Sequence, residues 1–195
     1  HAQIEHYLKT GECVLGGVAL AGKHFLPTPS PRLRVEYEFA RESRALVAAG
    51  VPVVGYVDCI NPFDTVYADS EGDLRPAPYG MVEVYDWKTS SDIDRYAKKS
   101  GQLAATVQMV GYAKLVTHLY PLARCVRISH VSFQTRGRAK SSKATELLDL
   151  DSVAVAWHRV EVVVNRMHEV AKLKSVEDVE ANRDACDAWR GCPYR

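Results

Sequence analysis

Polar and apolar residues alternate from Arg32 to Phe39, in the run Arg-Leu-Arg-Val-Glu-Tyr-Glu-Phe. A period of two sends alternate side chains to opposite faces, so 32–39 is expected to be a strand with one dry face. The preceding segment has another period. Positions 1, 4, 5 and 8 recur at helical spacing and gather His1, Ile4, Glu5 and Leu8 on one face of a helix over 1–10, which Gly11 stops. His1 and Glu5 on that face either point at a site or belong to a partly buried helix start. Residues 14–31, rich in Gly and Pro, are expected to connect, with a short helix near Val14–Ala21.

Val51–Ile60 is mostly apolar and reads as a second strand that carries Asp58 towards its end, before an Asn61-Pro62 break. Residues 63–79 contain Asp69, Glu71, Gly72, Asp73 and two prolines, which predicts a hairpin-like loop. That loop delivers the chain into Val82-Glu83-Val84-Tyr85-Asp86-Trp87-Lys88-Thr89, a third strand expected to lie antiparallel beside the second. Val82, Val84, Asp86 and Lys88 share a face. An apolar face that turns abruptly into Asp and Lys needs a reason, because charges are rarely buried unless paired or bound to metal. Two readings follow: a metal-binding carboxylate beside a lysine that orients water, or a strand end closed by an ion pair. Asp58 either shares a cation with Asp86, which offsets their repulsion, or prepares the turn.

Further on, Gly101–Leu119 is expected to be a helix, with Leu103, Val107, Val110 and Leu115 as apolar positions. Gln108 and Tyr112 stack on one of its faces, either to hydrogen-bond a substrate phosphate or a lysine, or to cap the core. Arg124–Thr135 reads as another strand. The following run from Arg136 to Lys143 concentrates positive charge on small-residue backbone, as phosphate-contacting loops and ordinary solvated charge runs both do. Asp151–Leu173 is a long amphipathic helix without evident chemistry, and its β-branched residues require packing to hold it.

Composition narrows the class. A chain of 195 residues suits one domain, 1–195, with a substantial core, and 47% hydrophobic with 25% charged residues is globular in character. A net charge of +1 means that a polyanion would be held by local basic patches. There is no apolar run of membrane-spanning length and no signal peptide. Five cysteines in irregular spacing do not form a secreted disulfide framework, so a reducing, cytoplasmic setting is expected. The chain starts at His1 without Met and ends just after a Gly-Cys-Pro turn, which reads as a piece of a longer protein whose 176–195 segment is a cysteine-containing cap.

The candidate residues become more specific as a set. His1 heads His-Ala-Gln-Ile-Glu-His-Tyr-Leu-Lys-Thr-Gly, Asp58 closes Gly-Tyr-Val-Asp, Asp86 and Lys88 frame Asp-Trp-Lys-Thr, and Gln108 and Tyr112 frame Gln-Met-Val-Gly-Tyr. In this order they resemble the PD-(D/E)XK nuclease superfamily, and within it the RecB-like exonuclease branch that includes CRISPR-adaptation exonucleases and many phage proteins. The resemblance spans nearly the whole chain. It implies a restriction-endonuclease-like α/β core, a central mixed β-sheet flanked by helices, acting on DNA in recombination, repair or end processing in a bacterial or phage-infected cell. It also implies that Asp58, Asp86, the Trp87 carbonyl and His1 bind Mg²⁺ or Mn²⁺, which suits oxygen donors with one imidazole. Lys88 would orient the attacking water, and Gln108 and Tyr112 would support the lysine and the DNA strand. A helicase or recombination partner is a further implication. An endonuclease of the same superfamily and a catalytically silent nucleic-acid-binding module are the alternatives, together with a zinc-dependent interaction domain using Cys186, Cys192 and a His.

Many RecB-like nucleases also carry an iron–sulfur cluster held by one early and three late cysteines. Cys186 and Cys192 match two of the late positions, while Arg183 stands where the resemblance calls for a third. Cys13 follows the His1 motif instead of preceding it. A [4Fe–4S] cluster needs four thiolates, so the other reading is a pair of reduced thiols in a C-terminal cap.

Overall fold

The strand periodicities converge on one five-stranded mixed sheet in the computed structural model, which describes residues 1–38, 46–62, 66–68, 74–76 and 80–179. In chain order the elements are α1 (Ala2–Thr10), α2 (Gly17–Ala21), β1 (Arg34–Glu38), β2 (Val47–Ala48), β3 (Val51–Pro52), β4 (Tyr56–Pro62), β5 (Val66–Ala68) and β6 (Leu74–Pro76). There follow β7 (Met81–Ser90), α3 (Ile93–Tyr96), α4 (Val107–Leu119), β8 (Cys125–Gln134), β9 (Ser141–Asp149) and α5 (Leu150–Ala171). The sheet order is β1-β4-β7-β8-β9. Among the described strands only β7 and β8 are parallel, and the segment holding α3 and α4 is the crossover such a pair requires. β4 and β7 are antiparallel neighbours, as expected, and β5 with β6 forms a hairpin inside the expected loop.

Each face of the sheet is dry for its own reason. Val82 and Val84 pack with Met109, Val110, Ala113 and Val116 of α4 and with Val153 and Trp157 of α5. Tyr85 and Trp87, on the opposite face of the same strand, pack with Ile4 and Leu8 of α1 and with Phe133. Each fully buried side chain of this size contributes about 1.5–3 kcal/mol. The Trp87 indole therefore points away from Asp86 and Lys88, as the period of two predicts. Gly80 immediately precedes β7 with φ 80, and a Cβ there would lie 2.6 Å from the Leu122 carbonyl oxygen. Glycine is needed at that point to bring the two parallel strands together.

Several expected bounds are corrected. The helix expected over 101–119 begins at Val107, because the Leu103 and Ala104 N–H groups donate to the Glu146 carboxylate at 3.1 and 3.2 Å. The strand expected over 51–60 is two strands, and the second runs through Asn61 and Pro62 to pair with Glu83 and Val82. Pro62 sits at the strand terminus, where a missing donor is tolerated. The basic run from Arg136 to Lys143 is not all loop: β9 starts at Ser141 and pairs with β8. Lys143 consequently turns inward, 2.9 Å from a Glu83 carboxylate oxygen.

Glu83 is fully buried and also accepts from Arg127 and, at 2.5 Å, from the Ser129 hydroxyl. The Lys143 amine lies 4.7 Å from the Tyr85 ring centroid, a cation–π distance. Burial pushes the Glu83 carboxyl up, and the nearby Lys143 and Arg127 charges outweigh that and hold it below the usual range. This buried polar cluster lies on the face of β7 opposite Asp86. Finally, α5 is capped by Asp149, whose carboxylate accepts from the Ser152 N–H at 2.7 Å.

Candidate metal and phosphate site

Two neighbouring strands change face at the same level. β1 and β4 pair at Val35↔Cys59 and at Tyr37↔Val57, which sets Glu36 opposite Asp58 between them. Side chains two apart on a strand normally share a face. Here Val35 and Cys59 pack on the α1 side, whereas Tyr37 and Val57 pack on the α4 side. Glu36 makes this switch with φ 53, a left-handed conformation that costs a non-glycine residue about 1–3 kcal/mol and that clusters at functional sites. The two carboxylates emerge where the paired strands change face.

His1 joins them from the start of α1. Its Nδ1 lies 3.9 Å from Asp58 Oδ1, and one ligand atom each of His1, Glu36 and Asp58 lies within 4.8 Å of the others. The Trp87 N–H donates to Asp58 Oδ2 at 2.5 Å, so backbone from β7 fixes one oxygen of the carboxylate. Burial raises the Asp58 pKa to about 6; the Trp87 hydrogen bond opposes the shift and the Asp86 charge adds to it. Glu36 is raised as well, by burial first and then by Asp58 and Glu5. Negative charge is under-compensated here, and that is the condition a bound cation relieves.

On β7, Asp86 is 1% exposed, and its Oδ2 is buried without a hydrogen bond although Lys88 and His130 lie close to it. The Lys88 amine lies 3.0 Å from Oδ1 and 2.9 Å from Oδ2. His130 Nε2 lies 3.1 Å from Oδ2. The parallel register makes Asp86 and His130 direct partners, and places Ser132 beside Lys88. Sequence reasoning missed both His130 and Glu36. The available signal for His130 was an imidazole in step with Val126 and Ile128 on an otherwise apolar strand face. Glu36 gave none, because only its positive φ turns it toward Asp58.

Gln108 and Tyr112 do meet, but not at Lys88. The Gln108 amide donates to the Tyr112 hydroxyl at 2.7 Å, and that hydroxyl donates to the Tyr56 carbonyl at 2.7 Å. Burial pushes the Tyr112 phenol up to about 12, so it stays a donor. Since Tyr56 is two residues before Asp58, the pair braces α4 against the strand that carries the carboxylate. Trp87 likewise reaches Asp58 through its N–H. Asp86 is outside the cluster of His1, Glu36 and Asp58, and is linked to it by charge and by the Trp87 backbone.

The other candidates fall elsewhere. Cys186, Cys192 and Arg183 lie outside the described residues. Cys13 is exposed, and Cys59 and Cys125 are buried free thiols. Of the basic run, Lys140 pairs with Asp94 and Lys143 with Glu83, while Arg136 and Arg138 are exposed. No helix among the described residues is long and apolar enough to cross a membrane.

No family model, no curated protein and no solved structure matches the chain. The chemistry of the site rests on its own donors. Two carboxylates and one imidazole, Glu36, Asp58 and His1, form a small oxygen-rich set of the kind that hard divalent cations take, with Asp86 standing outside it. Lys88 adds a cation beside them, of the kind that stabilises developing negative charge.

Proposed function

We propose that the chain is a metal-dependent DNA exonuclease of the PD-(D/E)XK type, in its RecB-like branch, built on a restriction-endonuclease-like core. The observation that carries this reading is the juxtaposition on β4 and β7 of Asp58, Asp86 and Lys88. Asp58, Asp86, Glu36 and His1 would hold a divalent cation, with the Trp87 carbonyl as a further donor. When bound, that ion stabilises phosphate charge and lowers the pKa of a coordinated water. Lys88 exchanges its contact with Asp86 for the water and a non-bridging phosphate oxygen. His130 keeps Asp86 oriented meanwhile, and Gln108 with Tyr112 keeps β4 in place. A helicase or recombination partner and a cytoplasmic setting belong to the same proposal; an iron–sulfur cluster does not, since only Cys186 and Cys192 match the four thiolates it needs.

End-labelled linear DNA and closed circular DNA, each incubated with the chain and Mn²⁺, test it. The expected result is shortening of the linear substrate, intact circles, and no digestion by Asp86→Ala. Nicked or linearised circles would make the enzyme an endonuclease. Absence of Mn²⁺ binding in a calorimetric titration would leave a catalytically silent nucleic-acid-binding module.

A further inference from the structure

A pocket of about 320 Å³ opens between the C-terminal end of β7 and the first turn of α4. Lys88, Tyr96, Lys98, Thr106, Gln108 and His130 contribute to its walls. Among the described residues no Asp or Glu lines it, although Asp86 lies directly beneath Lys88. The pocket and the carboxylate site therefore meet at the Lys88 amine, whose side chain is 42% exposed. One side of this border is anionic and suited to a metal; the other is cationic.

The remaining wall chemistry narrows the ligand. Tyr96 is a large aromatic left 59% exposed beside Lys98, and the Arg95 guanidinium lies 5.3 Å from its ring centroid. An aromatic surface stacks any nucleobase, and lysines beside it attract phosphate. The Thr106 hydroxyl and Gln108 amide add hydrogen-bonding groups. The volume is at the small end of the roughly 300–1,000 Å³ typical of small-molecule sites, which fits one nucleotide unit.

We propose that this pocket receives the single nucleotide bordering the scissile bond and releases it as a nucleoside monophosphate. The proposal rests on the nuclease reading. Hydrolysis joins a water oxygen to phosphorus and breaks the P–O bond to the neighbouring sugar. That sugar oxygen leaves as a hydroxyl carrying one of the water's protons. The base sits against Tyr96, and the phosphate sits between Lys88 and Lys98. Occupancy by one unit makes the product a mononucleotide.

The test is calorimetric titration of the metal-free chain with deoxyadenosine monophosphate and, separately, with inorganic phosphate. Wild type should bind the nucleotide more tightly than phosphate. Tyr96→Ala should weaken nucleotide binding by roughly tenfold and leave phosphate binding unchanged. Lys98→Ala should weaken both. Both side chains are exposed, and unchanged Mn²⁺ binding and circular dichroism confirm that the variants fold. Equal affinity for nucleotide and phosphate, or wild-type affinity in both variants, overturns the pocket even where DNA is degraded. A chain that degrades no DNA yet binds the nucleotide through Tyr96 refutes the hydrolysis and supports the pocket.

Discussion

His130 Nε2 lies 3.1 Å from Asp86 Oδ2, between residues that are direct partners in the parallel β7–β8 ladder. Both side chains are largely buried, so the ring packs beside a carboxylate oxygen that makes no hydrogen bond and is otherwise met only by Lys88, half in solvent. His130 is a positioning residue in this arrangement. Replacement by Phe should weaken Mn²⁺ affinity about 10–100-fold, the usual cost of losing a group that orients a metal ligand. Replacement by Gln, which presents an amide near the Nε2 position, should recover most of it. Wild-type Mn²⁺ affinity in the Phe variant, whose ring fills the same space, would reduce His130 to a space-filling role.

Asp58 should destabilise the metal-free fold. Its folded pKa of about 6 lies above the ordinary 3.8, so the fold disfavours its charged form. A raised carboxylate carries its full penalty above the folded value and none below the unfolded one, and the gap corresponds to roughly 2–3 kcal/mol. Asp58→Asn keeps an oxygen to accept the Trp87 N–H and removes the charge. The variant should melt higher than wild type near neutral pH without metal, and the difference should shrink as pH falls through about 6 and vanish below about 4. Saturating Mn²⁺ should reverse the order, since only the charged wild-type side chain gains from the ion.

Glu83 is the opposite case. It neutralises Arg127 and Lys143 inside the sheet, and its folded pKa is depressed. Its stabilisation is fully present above the ordinary value of 4.5 and is lost as pH falls through the lower folded value. Glu83→Gln leaves two cations facing one another where water is excluded and should cost about 3–5 kcal/mol. Urea unfolding at neutral pH measures it.

How much of this is legible in the sequence differs from residue to residue. The shared face of Asp86 and Lys88 and the opposite placement of the Trp87 indole follow from the strand period, which nothing on β7 interrupts. Gln108 and Tyr112 are neighbours because a helix makes them so, but their carbonyl partner, Tyr56, is 56 residues away from Tyr112 and leaves no local trace. Leu103 reads as helical, yet its N–H is taken by Glu146 from another element. The beginning of β9 reads as a charged loop because Lys143 looks solvated until Glu83 is placed beneath it. Glu36 reads as an ordinary outward residue of an alternating strand, and its single positive φ overturns that.

Glu36 therefore has a prediction of its own. Glu36→Gln keeps the backbone conformation and removes one anionic donor beside Asp58. Mn²⁺ affinity should fall at least about tenfold, in line with the cost of removing a charge-bearing ligand or its support. Glu36→Gly should lose the same affinity while relieving the left-handed strain, so the two variants bind Mn²⁺ alike and differ in metal-free stability. If the Gln variant binds Mn²⁺ as wild type does, Glu36 is a strained strand residue and no ligand.

Asp86 and Lys88 are separable by what each variant retains. On the nuclease proposal Asp86→Ala removes a metal donor and leaves Lys88 without its partner, so both Mn²⁺ binding and DNA degradation should disappear. Lys88→Ala removes the cation that competes with the metal for both Asp86 oxygens, at 3.0 and 2.9 Å. Mn²⁺ binding in that variant should be equal to wild type or tighter, while turnover falls by at least about a hundredfold, because the cation beside Asp86 that would orient water and offset phosphate charge is gone. Calorimetry with Mn²⁺ beside a single-turnover digestion separates the two. Loss of metal binding in Lys88→Ala would make the lysine a structural partner of Asp86, and turnover preserved in that variant would remove it from the chemistry.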